Sequence, residues 1–183
     1  DSGRAGDAPW LLRELMDNAV SNLMYAALRD EHALAALRES NAKPGDRFDR
    51  AVGGFTGEQA GSPVRITGTV KYFGEGWGYS EIAVIEFGEQ NLLFLVPTYT
   101  QIRTLAPLRI ADLDPDDYDV FVVKSRVHFR RGFDETGYAK TIMVVDAPGD
   151  WFGTTRLNAL EYQFAPIDQL YPFQAAQDAV SAN

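Results

Sequence analysis

The sequence predicts an α/β domain on a mixed sheet, and three observations carry that prediction. The first forty or so residues read helix, strand, helix. A period of two sets in at Pro63 and continues through two tight turns. Two near-continuous apolar runs then follow at 119–123 and 141–145. Helices and strands alternating at the start argue for an α/β layer rather than a bundle. The tight turns argue for an antiparallel meander in the middle, and the apolar runs for two strands covered on both faces.

Each element has its own justification. Leu11, Leu12, Leu15, Met16 and Ala19 share one face of a helix over 8–21, with Asp7 as the expected N-cap and Pro9 tolerated in the first turn. The apolar run Asn22–Leu28 suits a buried strand. Asp30 is placed to cap a second helix that carries Leu34 and Leu37 and fades by Asn41. Residues 42–63, rich in Gly, Lys, Asp and Pro, read as loop around one short strand. Val64, Ile66, Gly68, Val70 and Tyr72 then alternate with polar residues. Gly74, Gly76 and Gly78 make the first turn, Ile82–Phe87 the second strand, Gly88–Asn91 the next turn and Leu92–Val96 the third strand. The tail from Asp150 holds Trp151, Phe152, Tyr162, Phe164, Tyr171 and Phe173 with Pro166 and Pro172, and is expected to wrap the body. The expected organisation is a single domain over 1–183, with a helix–strand–helix part at 1–45, the sheet at 46–149 and the wrapping tail at 150–183.

Composition bounds the function. The chain has 183 residues, 45% hydrophobic, and a formal net charge of −9, the length of one domain with a core large enough to need no staple. Without cysteine it offers no disulfide, no thiolate metal site and no thiol nucleophile. The acidic balance argues against a general nucleic-acid binder, which must displace counterions with cationic surface. No apolar run approaches the roughly 20 residues of a membrane-spanning helix.

Against that acidic background, Lys124-Ser125-Arg126-Val127-His128-Phe129-Arg130-Arg131 stands out, with five basic or titratable residues directly after an apolar strand. Ligands of α/β sheets collect at the carboxyl ends of strands, where a helix N-terminus also presents free N–H groups. If Ser125 caps a short helix there, Ser125, the backbone and Lys124 can hold a carboxylate or phosphate; otherwise the segment is a cap followed by a solvated basic face. Asp146 ends the next apolar run and could orient His128, but two ligands from distant segments fall short of a three-ligand zinc site. His32, in the first turn of its helix, reads as a solvated surface residue. Asp112, Asp114, Asp116, Asp117 and Asp119 suggest a calcium loop at first sight. The pattern fails at its sixth and twelfth positions, occupied by Asp117 and Val123, leaving a polar turn around Pro115. The glycines at 74–78 lack dinucleotide-loop spacing and read as a turn.

Val122-Val123-Lys124-Ser125-Arg126-Val127-His128-Phe129 resembles the "VVKSxxHF" signature of the C-terminal domain of the MlrC family, the microcystinase C zinc metallopeptidases. Other pieces follow in the family's order. Asp1 to Asp7 with Leu11-Leu12 resembles the opening, Gly53-Gly54 the glycine pair after the second helix, and Pro63-Val64 the start of the following strand. Thr100-Gln101 resembles a recurring polar pair, Val144–Gly149 the "VDxPG" segment and Leu170-Tyr171-Pro172 the closing "LYP". The opening stretch carries fewer glycines than the family tends to have.

The resemblance implies an amide-hydrolysing zinc enzyme acting on small linear or modified peptides, in which a zinc-bound water is the nucleophile. It places the zinc ligands in a preceding catalytic domain, the expected partner of this one. The domain read here would complete the substrate site without holding the metal. Its expected contributions are His128 as a donor to the substrate carbonyl or developing oxyanion, Lys124 and Ser125 as carboxylate binders, and Arg126 and Arg130 as second choices. The expected compartment is the cytoplasm, and a homo-oligomer is left open. The reading from another class is a non-catalytic ligand-binding or oligomerisation module. A third, a self-sufficient metalloenzyme on His128 and Asp146, would require metal bound by this chain alone.

Overall fold

A computed structural model of the protein describes residues 6–125 and 127–145. Arg126, Asp146 and the aromatic tail lie outside the described residues, as do the "VDxPG" segment from Asp146 onward and the "LYP" segment. The chain divides after Val144, and the fold that follows is that of the first unit.

The elements are α1 (Trp10–Asp17), β1 (Leu23–Arg29), α2 (Glu31–Glu39), β2 (Arg47–Val52), β3 (Val64–Gly76), β4 (Tyr79–Phe87), β5 (Asn91–Val96), β6 (Val120–Val123) and α3 (Arg130–Phe133). The strands pair in the order β2-β3-β4-β5-β1-β6. β2 to β5 run antiparallel in sequence, while β1 is parallel to both β5 and β6. The sheet is therefore mixed, with the helix–strand–helix opening and the meander where the sequence puts them. Because β1 inserts between β5 and β6, all three parallel strands deliver their carboxyl ends, at Arg29, Val96 and Val123, to one edge.

Both faces of the central strands are covered, which explains their unbroken apolar character. Every residue of β5 is buried. Leu93 and Leu95 join Leu23, Tyr25, Leu34, Leu37, Ile66 and Ile85 in the core beneath α1 and α2. Leu92, Phe94 and Val96 face the opposite core with Met24, Ile82, Val84, Leu108, Phe129 and Phe133. Trp77 stacks on Phe94 at 5.5 Å between centroids, and its indole donates to the Pro107 carbonyl at 2.6 Å.

α1 is shorter than the periodicity predicts. Val20 N–H reaches back to the Leu15 carbonyl and Ala19 N–H to that of Met16, with Ala19 at φ 52°. That is the Schellman closure, here with alanine in the place glycine usually takes. Asp7 is not its cap: Pro9 holds the cap position without a side-chain bond. Instead the buried Tyr25 phenol, its pKa pushed up by burial, hydrogen-bonds the Leu12 backbone in the first turn. Asp30 caps α2 as expected, Oδ1 accepting from Ala33 N–H at 2.8 Å.

One predicted strand is absent. Residues 141–145 adopt no strand, and Met143, Val144 and Val145 are 79%, 63% and 55% exposed. An apolar run becomes a buried strand only where a neighbour offers a ladder and a cover. β6, itself only half-buried at the sheet edge, is the last paired strand among the described residues. The acidic stretch 112–119 is the polar turn expected. Asp114 accepts from Asp116 N–H to open a 3₁₀ turn over Pro115–Asp117, and Arg109 pairs with both Asp114 and Asp116. No helix among the described residues is long and apolar enough to cross a membrane.

Candidate functional site

The carboxyl edge of β1, β5 and β6 gathers the residues with chemical potential. After β6, Ser125 folds back, its N–H on the Val123 carbonyl at 2.9 Å. Its hydroxyl oxygen accepts from Phe129 N–H at 3.2 Å and ties the turn together, but Ser125 does not cap the helix as expected: Phe129 holds the cap position of α3, without a side-chain bond. Phe129 is buried in the second core and fixes the turn. His128, one residue earlier, is exposed on that turn. Arg130 pairs with Asp134 at 2.5 Å, with its guanidinium 5.4 Å from the centroid of the Phe129 ring. Of the five residues singled out from the sequence, Lys124, Ser125, His128 and Arg130 fall on one turn; Arg126 is outside the described residues.

Lys124 is placed differently from a simple solvent-facing cation. Its ammonium donates to the Ala8 carbonyl at 2.7 Å and lies 6.0 Å from the centroid of the Tyr25 ring. Its own carbonyl accepts from the Tyr99 hydroxyl at 3.0 Å, and that hydroxyl accepts from Gln101 Nε2 at 3.2 Å. Tyr79 and Thr100 share a further hydroxyl contact at 2.9 Å.

Two buried carboxylates brace the same edge, and neither was read from the sequence as a loop clamp. Asp7, 1% exposed, accepts from Phe55 N–H at 3.0 Å, Thr56 N–H at 2.9 Å and the Thr56 hydroxyl at 2.7 Å. Asp30 adds Gly53 N–H at 2.9 Å to its capping bond. Between them they hold the Gly53-Gly54 turn, whose backbone passes so close that a Cβ on Gly53 would lie 2.5 Å from the Asp7 carbonyl. Asp30 lies between Arg29 and Glu31, and Asp7 follows Asp1, Ser2 and Arg4, so nothing local in the sequence marks either as a buried clamp on a glycine turn more than twenty positions away.

His32 is a surface residue, as expected, meeting Phe55 edge-on at 4.9 Å. Among the described residues no group of three or more His, Asp or Glu side chains is placed to hold a metal ion.

The family model for the MlrC C-terminus matches residues 1–163. The chain belongs to this family. The fold also resembles a crystal structure of a protein described as a "Putative metallopeptidase" from Mesorhizobium sp. BNC1. The TM-score is 0.56 at 16% identity, over 72% of this chain and 28% of that one. This MlrC C-terminal chain thus spans little more than a quarter of that protein's length, and the likeness speaks to fold alone. No curated protein matches.

Proposed function

We propose that this MlrC C-terminal domain belongs to a zinc metallopeptidase and completes its substrate site, while a preceding catalytic domain holds the metal. Its described residues do not fit a zinc site, so no chemical step is assigned here to metal on this chain. What supports the reading is the exposed His128 on a turn pinned by Phe129 and Ser125 at the shared carboxyl edge, in a chain of this family.

The groups on that edge suit recognition of an amide substrate. An imidazole N–H donates to a carbonyl oxygen and strengthens as charge develops on it, which lowers the barrier rather than only tightening binding. The Ser125 oxygen is engaged by Phe129 N–H, yet its own proton remains to donate to a substrate carboxylate. Arg130 is neutralised by Asp134, which leaves Arg126 as the second-choice cation for an anionic peptide terminus in a chain that is otherwise strongly acidic. A small linear or modified peptide, with one amide carbonyl and one carboxylate, is the substrate class this set serves. Replacing His128 with alanine in the intact parent and following turnover tests it; unchanged turnover removes His128 from the site and favours a non-catalytic ligand-binding module.

A further inference from the structure

We infer that Lys124 is a positioning residue that locks the leading segment Gly6–Pro9 to the turn carrying His128, so that the chain's point of attachment to any preceding domain and the candidate site move as one. The inference rests on the reading above for where the site lies. It assigns Lys124 a role other than gripping substrate.

Four successive carbonyls of the leading segment are each taken by a different element. Gly6 accepts from Arg29 N–H at the end of β1 at 3.0 Å, and Asp7 from Gly54 N–H at 2.8 Å. Ala8 accepts from the Lys124 ammonium at 2.7 Å, and Pro9 from Arg13 N–H inside α1 at 3.0 Å. Only the third of these bonds joins the segment to β6 and the turn beyond it. It is charge-assisted, half-buried and the shortest of the four, the class of hydrogen bond that contributes most.

Tyr99 closes the same connection from the other side. Its hydroxyl donates to the Lys124 carbonyl, while its ring lies on Gly6 so tightly that a Cβ there would come within 2.9 Å of the ring. Lys124 is therefore held at its carbonyl by a residue that also packs on the leading segment, and holds that segment through its ammonium. From Lys124 the path to His128 is short: Ser125 follows, and its hydroxyl fixes Phe129. A side chain whose ammonium must stay on Ala8 to keep this loop closed serves the site through the backbone.

The test uses the full chain without substrate, and the presence of only two histidines makes it readable by NMR. In Lys124→Met, the amides of Arg29 and Gly54 should exchange about tenfold faster or more, the effect of losing one charge-assisted bond. The His128 imidazole resonance should shift while that of His32 stays, the β3–β4 amides should keep their protection, and Lys124→Arg should restore both signals. Wild-type exchange at Arg29 and Gly54, or an unmoved His128 resonance, overturns the inference. Should Lys124→Met lose the β3–β4 protection, Tyr99→Phe decides. That variant deletes only the hydroxyl on the Lys124 carbonyl and must move the His128 resonance, and an unmoved one overturns the inference. Because no substrate is present, this outcome is independent of whether His128→Ala changes turnover.

Discussion

Asp7 offers the sharpest energetic test of how the site edge is held. Its carboxylate is 1% exposed and accepts three hydrogen bonds from Phe55 and Thr56. A charged acceptor in such a bond contributes about 1.5–3 kcal/mol. Thr56 is exposed and Phe55 half-buried, so water recovers part of that loss. The net cost of Asp7→Ala should be about 3 kcal/mol, which for a chain of this length lowers Tm by about 6–12 °C. Asp7→Asn should cost about 1 kcal/mol, because the amide can turn its carbonyl to the two backbone N–H groups and its NH₂ to the Thr56 hydroxyl oxygen. Thermal unfolding by circular dichroism gives the two costs, and amide exchange at Phe55 and Thr56 locates them. A helix cap would behave otherwise: the alanine variant would cost about 1 kcal/mol and leave 55–56 untouched. A loss of that size, with Phe55 and Thr56 still protected, refutes the clamp.

Two further outcomes follow from the packing around the site. A Cβ on Gly132 would lie 2.2 Å from the Arg103 carbonyl and 2.7 Å from the Thr104 Cα. Neither can yield, so Gly132→Ala should cost about 2 kcal/mol and expose the Phe133 amide, which bonds the Phe129 carbonyl at 3.0 Å; a neutral Tm would contradict this. The tyrosines set an alkaline limit. Burial, then a hydrogen bond to Asp116, pushes Tyr138 up to about 12, and burial also raises Tyr25 and Tyr118. Their folded pKa values exceed the unfolded one near 10. Stability from these groups is therefore complete below about pH 10 and declines as pH climbs toward 12. Absorbance titration of the protein against single Tyr→Phe variants should show Tyr25, Tyr118 and Tyr138 ionising late; their ionisation near pH 10 would contradict the reasoning.

Much of this architecture is legible in the sequence because the signals are local. Asp30 three residues ahead of Ala33 is a local cap signal, and the alternation from Val64 to Val70 commits one face of β3 inward, although a register shift after Val70 turns Tyr72 to the opposite core. What escapes is set by distant partners. Nothing near β1 announces that it pairs with β6, so the shared carboxyl edge emerges only in three dimensions. Residues 141–145 carry the apolar character of β6 yet form no strand, since a continuous apolar run reports hydrophobicity and not a neighbour to pair with. At the site, a short helix after the basic run was foreseeable from an eight-residue motif, but its cap was not: Phe129, whose ring is drawn into the core, takes the position expected of Ser125. The bond from Lys124 to Ala8 spans 116 positions, and no spacing rule reaches that far.

The central claim is that this MlrC C-terminal chain contributes to catalysis without holding metal. Turnover and zinc content of the intact parent carrying His128→Ala, measured on one preparation, test it most directly. The account predicts turnover lower by about a hundredfold, the cost of removing one oxyanion donor, with zinc at the wild-type stoichiometry. Full turnover, or zinc lost along with the imidazole, would contradict it.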